Sequence, residues 1–286
     1  MTFILPKSDD CFKELFRDED VRKYFISDVT GIPLKDIKSI KLANSFLRKN
    51  HKRQKLGILD VFLELNNCTK INIEIQLKHL KSWDKRQLFY LSKIYAADIK
   101  DGEDYDKLTP CISIAILDFK LSDRPEYHHI YKLRDKNGNV FSDIFEVHTI
   151  ELKKPLTGNR PVNDWIRFFN AESEEDFTMI KTKNPGILKA IEKVRNFSLN
   201  PHLRLRYEAY LKDRRDQHAI EAYIKEHSIE QGREQGRAQG IEIFIRAGIR
   251  DGKSADAIIA DLMEYYSLSE EKAASYYKKY SGQGKS

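Results

Sequence analysis

Cysteine is scarce in this chain of 286 residues: Cys11, Cys68 and Cys111 are the only three, an odd number with no paired spacing. A disulfide framework and a cysteine-rich zinc site are thereby excluded as organising features, and the sparse usage fits a reducing compartment. Long apolar runs are missing too. No segment approaches the roughly 20 apolar residues that a bilayer-spanning helix needs, and Met1 to Lys7 has too few for a secretory signal. The expected location is therefore the cytoplasm, without membrane contact. No phosphate-cradling glycine loop and no Gly-x-Ser-x-Gly elbow occurs, so nothing points to a nucleotide or other organic cofactor. The charge excess is small, 50 Lys and Arg against 44 Asp and Glu for a formal +6, and its distribution matters more than its sum.

What is present suffices for a packed protein. Hydrophobic residues make up 41% and charged residues 33%, which excludes a wholly disordered chain. The length allows one sizeable mixed domain and a smaller appendage. Basic residues gather once, at Arg48, Lys49, His51, Lys52, Arg53 and Lys55, with no acid among them. Taken alone, such a run is either a solvated loop or a phosphate-contacting one.

Apolar spacing at Phe12, Leu15 and Phe16 predicts a short amphipathic helix from Asp9, and a second covers Asp20 to Thr30 before Gly31 and Pro33 end it. A strand is expected near Ile37 to Phe46. Gly57 to Leu65 and Ile71 to Lys78 then alternate as the arms of a β-hairpin around Asn66-Asn67. Leu88, Leu91, Ile94 and Tyr95 mark one face of a helix over Trp83 to Ile99. It leads into Cys111 to Phe119, a nearly continuous apolar run of the kind buried on both faces of a sheet. A helix between two strands is what a parallel crossover requires. Asn137-Gly138 signals a further hairpin between Tyr131–Arg134 and Val140–Leu152. The fold class is thus α/β: a mixed sheet core over residues 1–155 flanked by helices, then a helical region over residues 156–286.

Two features mark that region. Gly232, Gly236 and Gly240 recur every fourth residue in a charged, helix-forming stretch, where each costs about 1 kcal/mol against alanine. Either another helix approaches along the stripe, as in a homodimer, or the segment frays. Ser254 to Tyr266 and Ser269 to Tyr280 read as two short helices, each opened by a serine suited to N-capping. They form either a hairpin that merely packs or a DNA-reading helix-turn-helix.

The chemistry centres on the first hairpin. Leu59, Val61, Leu63 and Leu65 share one face, Ile58, Asp60, Phe62 and Glu64 the other. On the second arm Ile71, Ile73, Ile75 and Leu77 oppose Asn72, Glu74, Gln76 and Lys78. Matching the apolar faces with a three-residue loop, Asn66 to Cys68, sets Asp60 opposite Glu74 and Ile58 opposite Gln76. Opposed residues have β-carbons about 4.5–5.5 Å apart, close enough for two carboxylates to share one cation. Magnesium (Mg2+) is the expected ion, because it takes one or two carboxylates and fills its remaining positions with water and phosphate. Gln76 does not titrate and so cannot act as a base, but its amide can orient water or a phosphate oxygen. Incidental acids on a solvated sheet face are the other reading of this pattern. His128 and His129, adjacent in an expected strand, point to opposite faces and are not expected to share a metal.

The ordered segments Asp9 to Phe16, Ile58 to Val61, Asn72 to Gln76, Lys85 to Tyr95, Gly102 to Tyr105 and Ile112 to Phe119 together resemble the PD-(D/E)XK nuclease family transposases, also described as the Rpn family of recombination-promoting nucleases. The resemblance implies a restriction-endonuclease-like core, magnesium-dependent cleavage of double-stranded DNA, and a role in recombination or mobile-element biology. It also implies that Asp60 and Glu74 are the metal carboxylates, with Gln76 at the lysine position of the wider superfamily and Leu59 in place of its proline. Asp9 matches an amino-terminal acid that completes the metal shell. Lys13, one helical turn later, is placed for phosphate. Arg86 and Tyr90 share a helix face and serve either DNA contact or packing. Beside such a site Arg48, Lys52 and Arg53 read as phosphate contacts. The rival expectations are a DNA-binding accessory protein of a mobile element that cuts poorly, and an RNA nuclease.

Overall fold

The computed structural model describes residues 3–47, 57–66, 68–97, 99 and 102–282. The chain divides into two compact units, Met1–Glu208 and Ala209–Ser286. The first opens with α1 (Asp9–Leu15) and α2 (Glu19–Thr30). Asp18 caps α2 by accepting the Asp20 and Val21 N–H groups, and Gly31 ends it at φ 78°, a conformation without steric penalty only for glycine. Strands β1 (Ile40–Leu42), β2 (Phe46–Leu47), β3 (Gly57–Ile58), β4 (Val61–Leu65) and β5 (Thr69–Gln76) follow, then α3 (Trp83–Ala96), β6 (Cys111–Leu117), β7 (His128–Arg134) and β8 (Val140–Glu151). Among the described residues, six strands form one mixed sheet in the order β1-β4-β5-β6-β8-β7, while β2 and β3 pair separately.

β5, β6 and β8 run parallel at the centre, and every residue of β6 is buried, as its apolar run predicts. The β5–β6 pair is bridged by α3, the helix a parallel crossover demands. α3 lies on the sheet face that carries Glu74: Leu91 and Ile94 pack with Cys111, Phe62 and Val147, and Trp83 packs with Ala115 and Leu117. Three further helices, α4 (Val162–Asn170), α5 (Glu174–Met179) and α6 (Pro185–Leu199), belong to the same unit. Phe12 of α1, Phe16 just after it, Phe25 of α2 and Trp165 and Phe169 of α4 form an aromatic cluster, with edge-on pairs at centroid distances of 5.0 Å for Phe16–Phe25 and 5.2 Å for Phe25–Trp165. The Trp165 indole N–H donates to Asp28 at 2.7 Å, so its one polar atom is satisfied on burial.

The hairpin ladder has the register that alternation predicts, with Val61 opposite Ile73 and Leu65 opposite Thr69. Its first arm is shorter than expected. Ile58 does not face Gln76; it pairs with Phe46, and the Leu59 N–H donates to Ser45 at 3.0 Å. Asp60 causes the break. Its carboxylate, rather than a main-chain carbonyl, accepts the Ile75 N–H at 3.3 Å, so the ladder stops at Val61 and the chain turns away. Leu59 accordingly packs with Leu91 and Ile94 beneath α3 instead of continuing the Val61 face.

Helix α7 (Pro201–Arg250) crosses from the first unit into the second. In the second unit its last turns pack Ile241 and Ile245 against Ile258 and Leu262 of α8 (Ala255–Tyr266) and Ala273 and Tyr280 of α9 (Glu270–Ser281). Ser254 and Ser269 cap α8 and α9 as their sequence predicts. All regular elements described beyond residue 155 are helices.

Candidate active site

The break at Asp60 leaves one acid at the end of β4 and the other, Glu74, within β5 beside it. Glu74 is 1% exposed. Its Oε2 accepts the Gln87 amide N–H at 2.7 Å, whereas its buried Oε1 has no partner among the described residues. Burial, and after it the charge of Glu74, push the Asp60 carboxyl up to about 6, against the opposing pull of the Ile75 N–H and Lys13. Two acids compressed in this way, one with an orphaned oxygen, fit a divalent cation: bridging would relieve their repulsion and satisfy the free oxygen. Among the described residues no three His, Cys, Asp or Glu side chains gather to hold a metal. The protein therefore offers two carboxylates, a set that magnesium commonly accepts.

The other expected residues fall as follows along the chain. Asp9 and Lys13 form an ion pair at 2.8 Å on α1, and both are felt electrostatically at Asp60. Gln76 ends β5, half-buried, and its main-chain carbonyl accepts the Asp118 N–H at 2.9 Å. On α3 the Arg86 guanidinium lies 5.3 Å from the centre of the Tyr90 ring, and its buried Nε has no partner among the described residues. Arg48, Lys52 and Arg53 fall outside the described residues. His128 and His129 do diverge: His128 bonds His148 at 2.9 Å, while His129 lies 3.4 Å from Glu151. Burial, and after it the neighbouring His148, Arg160 and His129, push His128 down to about 3, which keeps it neutral near pH 7.

Two neighbours of Glu74, Gln87 and Ser113, escape a reading of the sequence by pattern alone, whereas alternation already places Asn72 on its face. Gln87 of α3 is 2% exposed and links Glu74 to Ser113 of β6, whose hydroxyl donates to Gln87 Oε1 at 2.9 Å. Asn72, two residues before Glu74 and opposite Ser113, is 1% exposed, and both its amide atoms lack a partner among the described residues. The signals were a glutamine at a buried helix position and a lone serine in an apolar strand.

A mixed sheet with a parallel centre, a crossover helix over one face and paired acids where a hairpin strand breaks defines a restriction-endonuclease-like α/β fold. Residues 6–223 match the family described as PD-(D/E)XK nuclease family transposase. The chain belongs to that family. Searches of curated proteins and of solved structures gave no match. No helix among the described residues is long and apolar enough to cross a membrane.

Proposed function

We propose that this chain is a magnesium-dependent endonuclease that hydrolyses phosphodiester bonds of double-stranded DNA, in the service of recombination or of a mobile element. The observation that carries the reading is the buried Oε1 of Glu74, without a partner among the described residues, beside an Asp60 whose carboxyl is pushed up by burial and then by the charge of Glu74. In this proposal Asp60 and Glu74 hold the cation and Asp9 completes its surroundings on release from Lys13. Bound magnesium would supply Lewis acidity toward the phosphodiester. Gln76 orients water or a non-bridging oxygen through an amide that both donates and accepts. Lys13 and Arg86 place positive charge against the DNA backbone, Tyr90 stacks beneath Arg86, and Arg48, Lys52 and Arg53 extend the contact. Catalysis belongs to residues 1–155 in the cytoplasm. The helical region 156–286 serves assembly, with Gly232 and Gly236, which have open space over their α-carbons, leaving room for a second copy's helix.

The test is supercoiled plasmid incubated with purified protein, with magnesium or with chelator. Nicking or linearisation that requires the metal, and that falls by orders of magnitude in Glu74→Gln while DNA binding persists, is the expected result. Binding without cutting would favour the accessory-protein reading, and preferential loss of structured RNA would reassign the substrate.

A further inference from the structure

Gln87 sits between two buried partners, and chemistry fixes which way its amide points. A carboxylate only accepts hydrogen bonds, so the amide nitrogen must face Glu74, leaving the amide oxygen to the hydroxyl of Ser113, which can donate. The distances, 2.7 Å to Glu74 Oε2 and 2.9 Å to Ser113 Oγ, are those of well-formed bonds. Gln87 therefore takes one acceptor site of Glu74 Oε2 and biases it away from a cation, while Oε1 has no partner among the described residues. That asymmetry bears on which cation is accepted. Calcium takes six to eight oxygens at about 2.3–2.6 Å and readily uses both oxygens of a carboxylate, whereas magnesium demands a compact octahedron at about 2.0–2.1 Å.

We propose that Gln87 is a positioning residue that makes Glu74 a one-oxygen ligand and so sets the preference of the site for magnesium over calcium. The inference rests on the reading of Asp60 and Glu74 as cation ligands. Ser113 acts one step further out: by donating to Gln87 Oε1 it holds the amide plane and strengthens the Nε2–H as a donor.

The experiment is calorimetric titration of metal-free protein with magnesium chloride and, separately, calcium chloride, in the parent, Gln87→Met, Ser113→Ala and Glu74→Gln. Methionine fills the place of glutamine without an N–H. In Gln87→Met magnesium affinity should fall about tenfold, the usual lower range for loss of a group that orients a ligand, while calcium affinity holds or rises. Ser113→Ala should move the ratio the same way by less, and it carries the test should Gln87→Met lack the circular dichroism spectrum of the parent. A merely structural glutamine would weaken both ions together, so parallel losses, or an unchanged ratio in the folded variants, overturn the proposal. Glu74→Gln separates the two levels. If it binds magnesium like the parent, or the parent binds none, the ligand assignment itself fails. If it loses magnesium while Gln87→Met keeps the parental ratio, only the role of Gln87 does.

Discussion

Replacing Asp60 by asparagine should abolish cutting yet stabilise the metal-free protein. The folded carboxyl keeps its proton up to about 6, whereas an unfolded aspartate releases it near 3.8. Between those values the folded state binds more protons than the unfolded one, so stability falls as pH rises through the window and the penalty is complete above it. At about 1.36 kcal/mol per pH unit the full rise is worth roughly 3 kcal/mol, and screening at the part of the carboxylate that water still reaches brings it to about 2 kcal/mol. Asparagine cannot ionise, yet it keeps a carbonyl oxygen for the Ile75 N–H. Metal-free Asp60→Asn should therefore exceed the parent by about 2 kcal/mol at pH 8, or about 4–8 °C in Tm for a unit of this size, and by almost nothing at pH 4. Urea unfolding in chelator across that range measures the difference, in which carboxylates common to both proteins cancel. Magnesium should raise the Tm of the parent by ligand linkage and leave the variant unmoved. A variant no more stable than the parent at pH 8, or a gap that does not close on acidification, would refute the account of the compressed pair.

Gln76→Ala leaves both carboxylates in place and removes only an orienting amide; plasmid cleavage should slow less than in Glu74→Gln, with magnesium affinity by calorimetry close to parental. Neutralising Arg48, Lys52 and Arg53 together should weaken DNA binding and flatten its dependence on salt, because each lost phosphate contact releases fewer counterions; equal salt slopes would show that the segment does not touch DNA. Gly186 of α6 lies so close to α2 that an added β-carbon would stand 2.4 Å from Tyr24 Cβ. Gly186→Ala should thus cost about 1–3 kcal/mol in urea unfolding, despite the better helix propensity of alanine.

The hairpin register was legible because two strands of alternating residues admit only pairings that bring their apolar faces together. What alternation could not reveal was that the side chain of Asp60 would take the place of a main-chain acceptor, ending the ladder and sending Ile58 to Phe46. Helix α3 was legible in place and, through the buried Leu91 and Ile94, largely in orientation, but not at every position of its face. Leu88, expected on its apolar face, is 57% exposed, while Gln87 is buried. Burying an amide is unfavourable unless it is satisfied, and the groups that satisfy Gln87 lie on β5 and β6, distant in sequence. Hairpin spacing singled out the acids of the candidate site but left incidental acids as the other reading until the family resemblance was added; the groups that brace Glu74 could not be read in either way.

Fourteen positions separate Asp60 from Glu74, and closing one hairpin brings Asp60, next to the last ladder pair Val61–Ile73, beside Glu74. Gln87 and Ser113 arrive by another route, through a crossover that must wind before β6 can dock beside β5. Hairpins form in about 1–10 μs, whereas parallel pairing across a long connection is intrinsically slow. During folding, then, the two negative charges meet before the amide that steadies one of them is in reach. The early hairpin is the step that repulsion resists, and the refolding rate, more than the unfolding rate, is where added salt should register.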